Sequence, residues 1–320
     1  MRAMQVTAYD QQLELREVEP PAPKAGEVLV KIATCGLNFG DLLLIKGTYQ
    51  QKPDLPFTLG MELAGTVTGL GEGVRGFSIG QRIAAYTGSG GLAEYAAVSA
   101  DICVPIPDQM TNEDAAAFLI AYGTSHVALD HRARMQPKER LLVLGASGGV
   151  GLTAVELGKL MGAEVIACAR GKAKLDICRA AGADHLIDSD TDDIREVVKS
   201  LGGADVVYDP VGGAQFTAAM RACNPEARIL PLGFASGEVP QIPANIIMVK
   251  NLNVLGVFWG GYKTTNPKVL TDSFKVLINW YLEGKLKPHV SHVLALEQAN
   301  AALDLLRTRQ ATGKVIVRVA

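Results

Sequence analysis

Residues 141–154 read LLVLGASGGVGLTA. An apolar run enters a glycine cluster and a helix-like pattern leaves it. A dinucleotide site needs a strand end, a tight turn, close backbone approach to the pyrophosphate, and a helix N-terminus aimed at it. In the G-x-G-x-x-G register this stretch places Ala146, Gly148 and Gly151. Gly148 allows the close approach, and Gly151 lets the helix pack on its strand. Ala146 carries a Cβ at the turn, which is tolerable at negative φ, and Gly145 beside it can take an unusual dihedral. Ser147, Gly148, Gly149, Val150 and Gly151 are therefore expected to cradle a pyrophosphate. The strand-turn-helix setting is what gives such a motif weight.

The second strand discriminates between dinucleotides. NAD sites usually end it with a carboxylate that accepts from the ribose 2′-OH. Here EVIACAR ends in Arg170, and Lys172 and Lys174 follow. A 2′-phosphate would meet Arg170 through charge-assisted hydrogen bonds. Each is worth about 1.5–3 kcal/mol, so NADPH is the expected cofactor, with Arg170 and Lys174 as its 2′-phosphate contacts.

These residues need a scaffold, and the chain supplies one in two textures. Residues 1–120 are short strand-like pieces cut by Gly and Pro, such as EVLVKIATCG and MELAGTVTGLG. From residue 113 an Ala-rich helical run begins, with Asn112 or Thr111 as its N-cap. Apolar strands and helices then alternate: RLLVLGA, helix 150–161, EVIACAR, helix 172–181, HLID, helix 191–200, ADVVYDPVGG, helix 214–223, RILPLGF and LNVLGVF. That order predicts a parallel sheet covered on both faces, an α/β doubly wound domain. Two amphipathic helices, 268–283 and 297–308, and a strand GKVIVRV close the chain. The expected division is 120–257 for the nucleotide domain and 1–119 with 258–320 for the other.

The bulk numbers exclude some partners. The 320 residues carry 31 basic and 33 acidic side chains, a net charge of −2. This balance gives no electrostatic reason to expect nucleic acid or an anionic membrane. The five cysteines are scattered and odd in number, as suits a reducing, cytoplasmic setting rather than a disulfide framework. The N-terminus lacks a continuous apolar run, so no signal peptide is expected. The apolar segment IPANIIMVKNLNVLGVFW is broken by Pro243 and Lys250 and is no membrane span.

Four stretches lie in order over nearly the whole length: GLNFGDLLLIKGTY, LGASGGVGLTAVELGKLMGAEVIACAR, ADVVYDPVGG and TGKVIVRV. Together they resemble the medium-chain dehydrogenase/reductase superfamily, and within it the zinc-independent quinone oxidoreductases of the zeta-crystallin type. The resemblance implies a Rossmann domain inserted in a β-rich GroES-like catalytic domain. It also implies a homodimer paired through LNVLGVF. Zinc enzymes of the superfamily carry a Cys in C-G-x-C-H-x-D and a His in G-H-E. Here those places hold Asn38, in CGLNFGD, and Met61, in GME. Glu62 and Cys35 alone cannot assemble the three or so protein ligands of a catalytic zinc, so no metal is expected. Alcohol oxidation would lack its Lewis acid.

The resemblance assigns roles to further residues. Asn38 and Asp41 match the active-site Asn and Asp of the quinone oxidoreductases. Asn38 would hold the nicotinamide ribose or a substrate carbonyl; Asp41 is equally well placed to N-cap a short helix. Tyr49, in IKGTYQQKP, matches the catalytic Tyr of related 2-enoyl-thioester reductases. A phenol there could polarise a carbonyl or pass a proton; it could also be an aromatic lid. Thr124 is expected near the nicotinamide. Val211, Gly233, Phe234 and Phe258 follow strand ends, where ligands sit in such sheets. Trp259 is expected to border substrate, with packing as its alternative. Ser189 stands where many relatives carry a Tyr near the 2′-phosphate. His126 reads as a satisfied structural residue. The implied activity is NADPH-dependent reduction of quinones or of α,β-unsaturated carbonyls (enones and enals). Reduction of enoyl thioesters and a non-catalytic, crystallin-like or RNA-binding role are the alternatives.

Overall fold

The computed structural model describes residues 1–319. They pack as two compact units, Met1–Ile120 with Pro288–Ala320, and Ala121–Lys287.

The second unit is built on a six-stranded parallel sheet. Its strands lie in the order His185–Asp188, Glu164–Ala169, Arg140–Leu144, Ala204–Asp209, Cys223–Pro231, Asn253–Val254. In chain order this reads 3-2-1-4-5-6, the doubly wound arrangement. The two central strands are almost wholly buried and carry apolar runs, Leu141–Leu144 and Val206–Val207, as expected where helices cover both faces. Leu142, Leu144, Ile166, Val207, Phe216 and Ile229 form the core on one face. The direction of winding reverses between Arg140–Leu144 and Ala204–Asp209. The carboxyl ends of those two strands are therefore where such a sheet binds a ligand.

Residues 258–287 pack with this unit rather than with the other, which moves the second boundary from the expected 257. The cause is the helix Pro267–Leu282. Its Ser273 hydrogen-bonds His126 Nδ1 at 2.9 Å, and its Trp280 stacks edge-on against the His126 ring. His126 is thus structural, as its place on the Ala-rich helix suggests. The final sequence strand is shorter than LNVLGVF; only Asn253–Val254 pairs, at the sheet edge.

The first unit holds a seven-stranded sheet, mostly antiparallel, and a three-stranded one. The long strand Glu27–Leu37 is central. It pairs with Glu62–Leu70, with Tyr95–Ser99 and with the last strand, Lys314–Arg318. The Ala-rich run beginning at 113 is not one helix. It divides into Asn112–Ala116, capped by Thr111, then Leu119–His126, then a π-helical turn over Val127–Arg132. The second helix starts afresh because the Ile120 N–H donates to the Glu62 carboxylate at 3.0 Å. An anion at a helix N-terminus satisfies one of its orphan donors.

Candidate active site

In the second unit, the strand Arg140–Leu144 ends at Gly145, whose φ is +57°. The left-handed dihedral falls on this glycine and not on Ala146. The Ala146 N–H donates to the Cys168 carbonyl at 2.9 Å, which fixes the turn between two strand ends. Gly148 caps the helix Gly149–Leu160 in an extended conformation and provides no side-chain cap. The first N–H groups of that helix remain available to an anion.

Two glycines differ in why they are glycine. A Cβ on Gly151 would lie 2.2 Å from the Gly145 carbonyl oxygen, so the fold itself excludes a side chain there. A Cβ on Gly148 would meet only that oxygen, at 3.4 Å, an ordinary contact. The protein does not need Gly148 bare. A bare backbone here leaves room for a ligand, and the turn fits a dinucleotide pyrophosphate.

The neighbouring strand ends converge on the same edge. Asp209 is buried, and its Oδ1 accepts from the N–H groups of Val211 at 2.7 Å and Gly212 at 2.9 Å. Burial raises its pKa, and those two N–H groups oppose the shift. A Cβ on Gly145 would lie 2.8 Å from Val211 Cγ2, and one on Gly212 would lie 3.1 Å from the Phe234 ring. Gly233 sits against Pro210. Ala146–Gly151, Val211, Gly233 and Phe234 therefore gather at one sheet edge. Thr124 lies on the helix Leu119–His126, whose Ser125 donates to the Val150 carbonyl at 2.9 Å and meets Thr153 and Tyr208 hydroxyls at 2.8 Å each. Nothing in the sequence pattern singles out this hydroxyl cluster or Asp209.

Arg170 ends the second strand, half exposed, with its Nε 3.0 Å from Asp190. Lys174 lies in the first turn of the helix Lys172–Ala180. Ser189 sits beside them, its N–H donating to the Ala169 carbonyl at 3.0 Å. Phe258 is exposed. Trp259 is not: it is 6% exposed, its indole packs on Gly123 and stands edge-on to Phe274. That is packing of the kind the sequence left as the alternative for this indole.

The first unit carries a polar cluster. Asn38, Glu62 and Lys314 come together because the strand Glu27–Leu37 pairs with both Glu62–Leu70 and Lys314–Arg318. Gly36 faces Glu62 in that register, and a Cβ on Gly36 would overlap the Ala116 carbonyl at 1.9 Å. Glu62 is 0% and Lys314 4% exposed, and they are paired at 2.5 Å. Asn38 donates to Glu62 Oε1 at 2.9 Å and to the Gly36 carbonyl at 3.2 Å. Its Oδ1 accepts from Lys314 Nζ at 2.7 Å.

Asp41 is not the N-cap of the helix Phe39–Ile45, as the sequence allowed. Asn38 holds that position, and Asp41 stands in the first turn with Oδ2 accepting from the Asn38 N–H at 2.8 Å. Asp41 is fully buried, and its Oδ1 has no hydrogen-bond partner among the described residues. Burial pushes its pKa up to about 7, against the pull of the Asn38 N–H and the Lys314 ammonium. Tyr49 is half-buried near Gly40 and Met61, and its hydroxyl is hydrogen-bonded to Tyr86. The Cys35 thiol is wholly buried and pushed well above its usual range, which removes it as a nucleophile.

The donor set at the superfamily's zinc position does not fit a metal. Met61 is buried with its sulfur toward Gly40, Asn38 is engaged, and the Glu62 carboxylate is already neutralised by an ammonium. Among the described residues no three His, Cys, Asp or Glu side chains cluster to hold an ion. Nor does any described helix run long and apolar enough to cross a membrane.

Known families match a stretch of each unit. Residues 24–108 match the family described as alcohol dehydrogenase GroES-like domain, and 149–275 match that described as zinc-binding dehydrogenase. A quinone oxidoreductase-like protein 2 homolog from Nematostella vectensis is 38% identical over 297 residues, covering 91% of this chain and 81% of that one. The quinone oxidoreductase of Thermus thermophilus, also solved with NADPH, superposes with a TM-score of 0.88 at 32% identity over the whole of both chains. The Escherichia coli quinone oxidoreductase complexed with NADPH gives 0.92 at 27% identity, again over the whole of both chains. The chain belongs to the medium-chain dehydrogenase/reductase superfamily of oxidoreductases, in its zinc-independent quinone oxidoreductase branch.

Proposed function

We propose that this protein is an NADPH-dependent reductase of quinones or α,β-unsaturated carbonyls. One observation carries the reading: a bare, uncapped helix N-terminus at the switch point of a doubly wound sheet, with Arg170 and no carboxylate ending the adjacent strand. Solved relatives are complexes with NADPH, which supports the cofactor. Bound there, NADPH would supply a hydride; the protein supplies orientation and polarisation. Gly148–Gly151 would hold the pyrophosphate, and Arg170 with Lys174 the 2′-phosphate. Val211, Gly233 and Phe234 border the same edge. In the first unit, Tyr49 is the group suited to polarise a carbonyl or pass a proton, and its hydrogen bond to Tyr86 fixes the phenol.

The test is NADPH oxidation, followed by absorbance, against quinones, enones, enals and crotonyl-CoA. Turnover of the first three groups is expected. NADPH binding with no turnover on any acceptor would replace this reading by a cofactor-binding role. Fast turnover of crotonyl-CoA alone would favour the enoyl-thioester alternative, to which the placement of Tyr49 lends support. Tyr49→Phe is expected to cut kcat on an enone by about a hundredfold; an unchanged rate makes Tyr49 a packing residue.

We further infer a homodimer. The strand Asn253–Val254 is an open sheet edge, and the preceding helix Ala244–Lys250 exposes Met248 at 71% and Val249 at 75%. An unpaired edge beside exposed apolar side chains is a pairing surface. Sedimentation of a Met248→Glu, Val249→Glu variant as a monomer is the expected outcome. The free, buried cysteines suit a cytoplasmic setting.

A further inference from the structure

A single charge ending the second strand usually selects the dinucleotide. This chain brings two charges of opposite sign to that place. Glu164–Ala169 and His185–Asp188 run parallel, with Ala169 opposite Asp188, so the residues that leave the two strands lie side by side. Arg170 leaves the first, and its Nε donates to Asp190 Oδ1 at 3.0 Å. The carboxylate missing from the second strand is returned by the loop after the third.

That loop holds Asp190 in place. The Asp190 N–H donates to Asp188 Oδ1 at 3.1 Å, and the same oxygen accepts from the Gly171 N–H at 3.0 Å. These bonds, the one from Gly171 foremost, keep the Asp188 carboxyl below its usual range. The Asp192 N–H returns to the Asp188 carbonyl at 2.9 Å, and Asp192 Oδ2 accepts from the Asp188 N–H at 2.8 Å. One carboxylate thus ties the turn after the second strand to the turn after the third, with Asp190 beside Arg170.

The pair is only partly used. Arg170 is 57% and Asp190 50% exposed. Among the described residues the terminal nitrogens of Arg170 donate no hydrogen bond, and Asp190 Oδ2 accepts none. Donors and an acceptor therefore stand open next to each other. A ribose 2′-OH can donate and suits the acceptor; a 2′-phosphate is an anion and suits the guanidinium. Nearby charge does not all favour the phosphate. Lys172 is paired with Asp176 at 2.7 Å, and Asp188 adds a negative charge inside the turn.

We propose that Asp190 sets the nucleotide preference, accepting the ribose 2′-OH of NADH where Arg170 takes the 2′-phosphate of NADPH, so that this site binds both nucleotides. This deepens the cofactor reading and rests on a dinucleotide lying at the glycine turn. With NADPH bound, phosphate and carboxylate share one guanidinium, which narrows the advantage of the phosphate.

The test is fluorescence titration of NADPH and NADH with the parent protein and with Asp190→Ala. The parent should bind both, with dissociation constants within about tenfold of each other. The substitution should move them in opposite directions. NADH should weaken by about fivefold or more, through loss of a charged acceptor, and NADPH should tighten by about threefold. Melting temperature should hold, because exposed ion pairs contribute little to stability. A parent that binds NADPH and not NADH overturns this proposal and leaves the cofactor reading standing; one that binds neither overturns both. In Asp190→Ala, equal losses mark a disturbed turn, and unchanged constants mark an idle surface pair. Weaker NADPH alone marks a support for Arg170, and tighter NADPH with unchanged NADH marks repulsion without recognition. Each of these four outcomes overturns the proposal.

Discussion

At the carboxyl edge of the six-stranded sheet, the groups suited to meet a ligand are backbone N–H groups, and what matters about Gly145, Gly148 and Gly151 is the absence of side chains. In the first unit the reverse holds. Asn38, Asp41, Glu62 and Lys314 act through their side chains, and Glu62 and Lys314 form a buried ion pair. The first region should be sensitive to added atoms at its turn, with charge felt only at the end of the second strand. The second should tolerate isosteric change and fail when charge is unbalanced. Substitutions can break that contrast.

The largest effect is expected at Gly151. Gly151→Val puts a branched Cβ onto backbone, 2.2 Å from the Gly145 oxygen and 2.9 Å from Ala146 Cα. Neither neighbour is a flexible side-chain end, so the turn must move. Nucleotide affinity should fall by more than about a hundredfold, with destabilisation at or beyond the roughly 1–3 kcal/mol typical of overpacking. Gly148→Ala is the control. Its Cβ meets protein only at 3.4 Å, so melting temperature should hold while NADPH affinity falls. Retained affinity in Gly148→Ala, measured by fluorescence titration, would mean that no ligand approaches this backbone.

The next effect belongs to the buried pair. Removing one partner leaves an uncompensated buried charge, a loss of about 3–5 kcal/mol, whereas removing both together is often close to neutral. Lys314→Met should therefore lower stability by that amount in chemical denaturation. Adding Glu62→Gln should restore more than half of it. Equal destabilisation in the single and double variants would show that packing of the lysine stem, not charge, is what the site requires.

How much of this was legible follows the same contrast. The glycine turn is contiguous, so a dozen residues carried its chemistry, and the helix expected at 150–161 forms at Gly149–Leu160. The polar cluster is assembled by strand register between residues 36–38, 62 and 314, and no local pattern encodes register. Lys314 opens an apolar strand, and only the pairing of that strand with Glu27–Leu37 makes it a buried cation. The break in the Ala-rich helix has the same origin, since a carboxylate from a distant strand takes the Ile120 N–H. Trp259 shows the limit for aromatics, because the sequence places it after a strand end without fixing whether its indole turns inward.

Asp41 gives the cluster a pH signature that the glycine turn lacks. Its folded pKa of about 7 lies above the ordinary 3.8, with burial as the leading cause. In that window the folded state binds more protons than the unfolded one, so stability falls as pH rises. The contribution is full below about 4 and lost as pH passes through about 7. Asp41→Asn should flatten the decline in stability between pH 4 and 8 by a few kcal/mol, on the order of 1.4 per pKa unit. A parallel slope in the two proteins would mean that Asp41 does not carry the proton.

The smallest effect is expected at Arg170, where charge matters in the nucleotide region too. Its contact with Asp190 is half exposed and contributes little to stability, so Arg170→Ala should leave the melting temperature nearly unchanged. A 2′-phosphate held by that guanidinium would lose a contact worth about 1.5–3 kcal/mol. The affinity for NADPH should then fall tenfold or more, by the usual ~1.4 kcal/mol per decade, while NADH binding stays put. NADH is the internal control, because it shares the pyrophosphate and the glycine turn and lacks only the phosphate. An equal loss for both nucleotides would show that Arg170 shapes the strand end rather than reading the phosphate. In that case selection for NADPH would have to come from Lys174 or from backbone around Ser189.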